Sequence, residues 1–557
     1  MKQRIMENRH VNAIVVGSGA GGGVVAKELS EAGLSVVLFE RGGWAHYAAH
    51  GDDELTAQRS FPLACFFGPD NERYRRVAVD QNGNERIVYP NDWAYHNNAA
   101  CVGSGTVSYG AMAWRFMEED FTMKSTYGHI PGSTLEDWPV TYADLEPYYE
   151  KAEWEIGVAG DDYQNPFAPW RRKAHPMPPF PHNREAQMLE AAAKKIGYHP
   201  FPIPMLRNSV EYNGRPACVH VRHCVGFACP VDAKNGSQNT VIPMAVATGN
   251  CELRIHAQVV EITMNNQGRA TGVTYFDKED KKQTQTADIV VLAASATETP
   301  RLMLNSANRL HPNGIGNRHD WVGRNLQGHA YCGADGLFEE EIYDDFGPGA
   351  SVAICDFVHN NPGITGGAML ANEFIKLPFA YSSGYRPPGS ARWGREHKEF
   401  QKTNYRKNAS IRGPVQEMPN FESRVEVAPD VLDHWGMPVA KISGFKLDED
   451  IKTAEFIADK AEKWLQAAGA YKTWKGIPGT GVSGSQHQSG TCRMGNDPQT
   501  SVTDKYGRVH DVDNLFIADG SLHVTNGGFN PVLNIMALGY WVSDYIIKEW
   551  EGGNRFR

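Results

Sequence analysis

The chain has 557 residues, 41% of them hydrophobic and 22% charged, with a formal net charge of −10. That composition belongs to a globular protein with room for two or more domains. The acidic balance excludes the basic footprint that nucleic-acid binding needs, and no apolar run reaches the roughly 18–20 residues of a membrane-spanning helix.

Met1 to His10 is charged and lacks an apolar core, so no signal peptide of its own is expected. An apolar run from Val11 to Val16 follows and reads as a buried parallel strand. It breaks at Gly17-x-Gly19-x-x-Gly22 into a helical run of small residues that ends near Ala32, with Gly33 as its stop. Ser35 to Phe39 is a second strand, and Glu40 closes it. This is a βαβ dinucleotide-binding unit. Gly17 permits a tight turn, Gly19 lets backbone approach a diphosphate, and Gly22 lets helix pack on strand. Ala20 opens the helix, whose unpaired N–H groups favour an anion, and Glu40 would accept ribose hydroxyls. The unit alone leaves FAD and NAD both open.

Residues 41–95 look irregular, and 97–116 hold a second small-residue loop around Gly103-Ser104-Gly105. Thr141 to Ala152 reads as a capped helix, and 162–183, rich in Pro, Trp and Arg, as a wrapped loop, a partner-facing excursion or a plain linker. Arg184 to Ile196 is an amphipathic helix. Cys218-x5-Cys224-x4-Cys229-Pro230 gathers three of the nine cysteines, with His220 and His223 between them. Three readings stay open for it: an iron–sulfur site, a zinc site, or reduced structural thiols. Cys65, Cys101, Cys251, Cys332, Cys355 and Cys492 read as small buried apolar residues.

Short strands follow at 252–255, 259–264, 270–276 and 283–286, then a buried run, 288–294. A helix is expected over Thr299 to Asn305, with Pro300 in its first turn. Residues 335–445 suggest a second, sheet-based body, Glu449 to Ala468 a helix, and 485–546 strand, loop and a final helix. Three stretches of that last region carry candidate chemistry. His487 precedes a small-residue loop and could act as a base. Asp519 ends an apolar strand before Gly520, where ligands sit in α/β sheets. Asn530 before Pro531 is either a polar clamp or a helix cap.

Taken in order, the glycine loop, the 102–110 loop, the turn Ala294-Ser295-Ala296-Thr297-Glu298-Thr299-Pro300, the His487-x-x-Gly490-Thr491-Cys492 stretch, Asp519-Gly520 and Asn530-Pro531 resemble the glucose–methanol–choline (GMC) oxidoreductases. The resemblance covers nearly the whole chain. Cys218 to Lys234 and Trp114-Arg115 look most like the bacterial gluconate, fructose, sorbitol and glucoside dehydrogenase large subunits. It implies a mixed α/β fold, a Rossmann-like FAD-binding domain interleaved with a sheet-based substrate-binding domain. Residues 1–150, 213–334 and 481–557 would build the FAD domain, 151–212 an excursion, and 335–480 the substrate domain.

By the same resemblance, Gly17, Gly19, Ala20, Gly22, Glu40, Gly103, Gly105, Val259, Asp519 and Pro531 would hold FAD, while His487 and Asn530 would be catalytic. Ser295 stands where the family signature usually has Gly. No histidine lies in 103–110, where some sugar oxidases of the family attach their flavin, so FAD would be non-covalent. Cys218, Cys224 and Cys229 would be the ligands of a [3Fe–4S] cluster, although their spacing departs from that of cluster-bearing relatives. The reaction implied is oxidation of a sugar, polyol, glycoside or sugar-acid hydroxyl, with electrons passed to an acceptor other than NAD. Small and cytochrome subunits are the implied partners. The place of action would be the cytoplasm, or the periplasm by export with a partner.

Overall fold

In the computed structural model the described residues are 9–50, 53–57, 67–96, 98–161, 164–347, 349–373, 376–483, 487–553 and 556. The first eight residues, Cys65 and the Arg555/Arg557 tail lie outside them. Val11–Val16 forms β1, Ala20–Glu31 forms α1 and Val36–Phe39 forms β2. β1 lies parallel to β2 on one side and to the second half of the strand Lys282–Leu292 on the other. Cys251–Arg254 extends the sheet beyond β2, and Leu515–Ile517 pairs with Lys282–Leu292, both in parallel. Four residues of β2 and five of β1 are buried, because helices cover both faces of a parallel sheet.

The stretch 282–292 is one strand rather than the two expected pieces. Its first half pairs antiparallel with Ala270–Phe276, its second half parallel with β1. The period changes inside the strand from alternating exposure to continuous burial, which made one element read as two.

The next helix departs further. It runs from Ser295 to Asn305, so Pro300 sits in its interior and not in its first turn. A proline there cannot pair with the carbonyl four residues earlier, that of Ala296. Thr491 Oγ1 donates to the Ala296 carbonyl oxygen at 2.6 Å instead.

A second sheet of six strands runs in the order Lys472–Gly476, His329–Leu337, Asn408–Gln416, Leu370–Asn372, Val352–Ile354, Phe201–Pro202. Its neighbours are antiparallel, with His329 facing Gln416 and Gly333 facing Arg412. The helix Asp448–Ala467 covers one face, and its Trp464 is fully buried with Nε1 donating to Leu189 O at 2.8 Å. Truncating such an aromatic to alanine costs about 3–5 kcal/mol.

Residues 41–95, expected to be irregular, contribute the strands Arg76–Val79 and Glu85–Val88 to a third sheet with Arg424–Leu432 and Pro438–Ser443. The 335–445 stretch also holds helices, Pro378–Gly384 and Gly394–Asn404, where strands were expected. Of the second helix only Asn404 is buried, so it carries no apolar stripe that sequence could show. The 162–183 excursion is docked on its own chain: Arg171 reaches Glu153 at 3.2 Å and Arg172 reaches Glu150 at 2.9 Å.

Candidate active site

One cavity of about 920 Å³ runs from the glycine loop to the face of the six-stranded sheet. Gly17, Gly19, Ala20, Glu40, Gly105, Val259, Asp519, His487, Asn530 and Pro531 all line it. Gly22 and Gly103 lie behind its wall, where they make close approaches. A Cβ on Gly22 would fall 1.9 Å from Gly17 O, and one on Gly103 2.8 Å from Gln238 Cβ.

The glycine loop has two kinds of glycine. Cβ atoms on Gly17 and Gly21 would meet backbone oxygens, Ala293 O at 2.3 Å and Ala518 O at 1.8 Å. Gly19 differs, since its nearest neighbour would be Ser104 Cβ at an ordinary 3.4 Å. The protein itself does not require a bare backbone at Gly19, yet the residue lines the cavity at the head of α1. It is the N-cap of α1 and gives no side-chain hydrogen bond to the first-turn N–H groups. A bare helix N-terminus facing a cavity has the chemistry that suits a dinucleotide diphosphate.

Glu40 is buried, and burial raises its pKa against the donors that lower it. Those donors are Ser18 Oγ at 2.6 Å and Gly42 N at 2.9 Å. The cavity continues beside it past Val259 to Arg41, Glu298 and Arg301. Burial would push the Glu298 carboxyl up, but the guanidinium groups of Arg76, Arg301 and Arg41 hold it well below the usual range.

Asp519 shows what joins the separate motifs. Its Oδ1 accepts from Ser521 N at 2.8 Å and Ser521 Oγ at 2.5 Å. Its Oδ2 accepts from Ser295 N at 2.9 Å and Thr299 Oγ1 at 2.6 Å. Both carboxylate oxygens therefore hold the 295–299 turn to the 519–521 loop. The His487 stretch is tied to both, through Thr491 to Ala296 and through Gly490 N to Gly520 O at 3.1 Å. Ser295 has φ +88°, a conformation suited to glycine.

At the other end of the cavity, His487 stands among three side chains. Its Nε2 lies 3.4 Å from Asn530 Nδ2, which also lies 3.1 Å from the Tyr331 hydroxyl. Its Nδ1 lies 2.9 Å from His329 Nδ1. Asn530 Oδ1 has no hydrogen-bond partner. His329 and Tyr331 line the cavity and escaped sequence reasoning. They alternate on one strand of the six-stranded sheet, and that alternation was the available signal.

Gln416, Glu417, Asn420, Glu422 and Arg424, polar residues around the end of the strand Asn408–Gln416 and the start of Arg424–Leu432, do not line the cavity, whose wall on this side Met369, Ala371, Glu373 and Arg412 make. Glu417 is buried behind it, accepting from Gly328 N at 2.7 Å and pairing with Lys446 at 3.4 Å. Arg412 is bound to Asp335 at 2.6 Å.

The cysteine run is not gathered into a metal-binding group. Among the described residues, no three His, Cys, Asp or Glu side chains are placed to hold a metal ion. Cys218, Cys224 and Cys229 are free thiols, and burial pushes the Cys218 thiol up. Their loop is braced differently: Lys234 Nζ donates to Cys224 O and Phe227 O, each at 2.7 Å.

With this geometry in view, sequence profiles of the GMC oxidoreductases match residues 129–331 and 419–539, and a Rossmann-like NAD(P)-binding profile matches 15–80. The 6'''-hydroxyparomomycin C oxidase of Streptomyces lividus is 31% identical over 94% of this chain and 89% of its own. The chain belongs to the GMC oxidoreductase family. It is therefore an FAD-dependent oxidoreductase acting on CH–OH groups. The fructose dehydrogenase large subunit of Gluconobacter japonicus is 27% identical over 98% of this chain and 99% of its own. In fold, the chain is similar to the crystal structure of pyridoxine 4-oxidase from Mesorbium loti, with a TM-score of 0.63 at 15% identity over 96% and 98% of the two chains. Among the described residues no helix is long and apolar enough to cross a membrane.

Proposed function

We propose that this chain oxidises a hydroxyl group of a sugar, polyol or related polyhydroxylated compound, with His487 as the base and Asn530 as the clamp. The observation that carries the reading is the single cavity joining the Gly17–Gly22 cradle to His487 and Asn530. FAD, when bound, supplies the two-electron sink that takes the hydride from the carbon. Gly19, Ala20 and the head of α1 would hold its diphosphate, and Val259 and Glu40 its adenosine end.

A hydroxyl oxygen placed between His487 Nε2 and Asn530 Nδ2 donates its proton to the imidazole and accepts from the amide. The 3.4 Å gap between those nitrogens is then opened by the substrate. Asn530 does not titrate near neutral pH, so the proton goes to His487 alone. Tyr331 braces the amide and presents its ring beside His487, with centroids 5.7 Å apart.

The polyhydroxylated substrate class is supported by the names of the relatives, which act on 6'''-hydroxyparomomycin C and on fructose. The name of that second relative, a large subunit, supports an accessory subunit here. FAD is held without a covalent bond in this reading, since Ser108 and Tyr109 line the wall where a linking histidine would stand. Acid precipitation should therefore release all of the flavin.

The decisive test is an anaerobic panel of sugars, polyols and sugar acids followed by flavin bleaching, repeated with oxygen admitted. Bleaching by a polyhydroxylated compound in wild type and not in His487→Ala supports the reading. Full bleaching in His487→Ala with FAD retained would refute the assignment of the base. Rapid recolouring in air would mark an oxidase instead of a dehydrogenase.

A further inference from the structure

We propose that His329 is a positioning residue that fixes the tautomer of His487, so that the Nε2 lone pair of His487 faces the cavity before substrate arrives. This rests on His487 being the base.

The argument is one of donors and acceptors. His329 is 1% exposed on the strand His329–Leu337. Its Nε2 lies 2.8 Å from Gly527 O and 3.2 Å from Asn526 O. Backbone carbonyls only accept, so the His329 Nε2 carries a proton. Burial pushes the His329 pKa down to about 4, which leaves the ring neutral and its Nδ1 unprotonated at working pH. That Nδ1 can only accept, and its neighbour at 2.9 Å is His487 Nδ1. His487 must therefore hold its proton on Nδ1 and its lone pair on Nε2, the atom beside Asn530 Nδ2. The amide agrees, because it presents N–H to a lone pair.

The same contact serves the next step. When His487 takes a proton on Nε2, its Nδ1–H remains bonded to a neutral acceptor that is already in place. Among the described residues, Asp120 and His523 act on His329, and the Tyr331 ring faces His487. Asp120 is bound to His359 at 3.0 Å and to Met117 N at 2.7 Å. His523 is buried, its pKa pushed down to about 4, and lies 3.1 Å from both Asn526 Oδ1 and Asn534 Nδ2. The contact of His329 Nδ1 with His487 Nδ1 makes His329 the side chain placed to select that tautomer.

Two substitutions separate this role from simple packing. His329→Gln keeps an N–H for Gly527 O but offers His487 no fixed acceptor, whereas His329→Asn puts an amide oxygen near the position of Nδ1. In the FAD-loaded enzyme, His329→Gln should lower kcat about 10- to 100-fold with KM little changed. It should also move the acid limb of kcat/KM to lower pH, since the imidazolium of His487 loses its acceptor. His329→Asn should recover most of the lost kcat.

A second readout needs no turnover. With histidines labelled in 15N, the His487 resonances, identified by their loss in His487→Ala, should show an unprotonated Nε2 in wild type and a tautomer mixture in His329→Gln. An inactive His487→Ala together with a His329→Gln enzyme of unchanged kcat, acid limb and tautomer would overturn the role of His329 alone. A fully active His487→Ala would overturn the base reading and this proposal with it. Equal losses in His329→Gln and His329→Asn with an unshifted acid limb would mark His329 as structural and also overturn the proposal.

Discussion

Thr491 Oγ1 donates to the carbonyl oxygen of Ala296 at 2.6 Å, the oxygen that Pro300 leaves without a backbone donor. The bond joins the loop that carries His487 to the helix that begins at the Ser295 turn. Both groups are buried. Thr491→Val removes the donor and strands the carbonyl, which should cost about 1–3 kcal/mol, while Thr491→Ser should cost little. Denaturant unfolding of the three proteins measures the difference. Equal stability of the valine and serine variants would mean the bond contributes nothing.

Ser295 gives the opposite sign. Its φ of +88° strains a residue with a Cβ, at about 1–3 kcal/mol, and its Oγ recovers part of that from Asn98 Nδ2 at 3.3 Å. Ser295→Gly should raise the unfolding midpoint. Ser295→Ala keeps the strain and loses the bond, so it should lower it. If alanine proved more stable than glycine, the strain assignment would be wrong.

Much of this site was legible in the sequence because its parts are local. The glycine turn, the buried runs and the Asn530-Pro531 pair are each set by neighbours in the chain. His329 was not legible: its function depends on Gly527 O and His487, which are nearly 200 and 158 residues away in sequence. Pro300 misled for a related reason. Local propensity puts proline in a first turn, and only Thr491, from a distant loop, makes an interior position tolerable. Spacing alone left the cysteine run with three readings, because it says nothing of where the loop points its thiols.

Acid should unfold the protein through its buried histidines. Burial pushes the pKa of His329 and of His523 down to about 4, and that of His96 to about 3, from an ordinary 6.5. Below pH 6.5 the unfolded chain takes up protons that the folded chain refuses until about pH 4. The contribution of these histidines to stability is therefore full above 6.5 and falls as pH drops towards 4, by up to about 3 kcal/mol for each. Unfolding midpoints measured from pH 7.5 to 4.5 should decline. His523→Gln should make the decline shallower whatever it does to the absolute stability, and an unchanged slope would exclude His523 as a contributor.

The glycine loop allows folding and cofactor binding to be separated within three residues. A Cβ on Gly21 falls 1.8 Å from Ala518 O, with backbone on both sides and nothing flexible to yield. Gly21→Ala should cost more than about 3 kcal/mol and leave little folded protein. A Cβ on Gly19 meets only Ser104 Cβ at 3.4 Å, so Gly19→Ala should fold. The methyl group nonetheless enters the space kept for the diphosphate at the head of α1, and flavin affinity should fall about tenfold or more, at least 1.4 kcal/mol. Flavin content per folded protein, with circular dichroism to confirm the fold, reads both outcomes. A Gly19→Ala protein that folds and keeps its full flavin would place the diphosphate elsewhere.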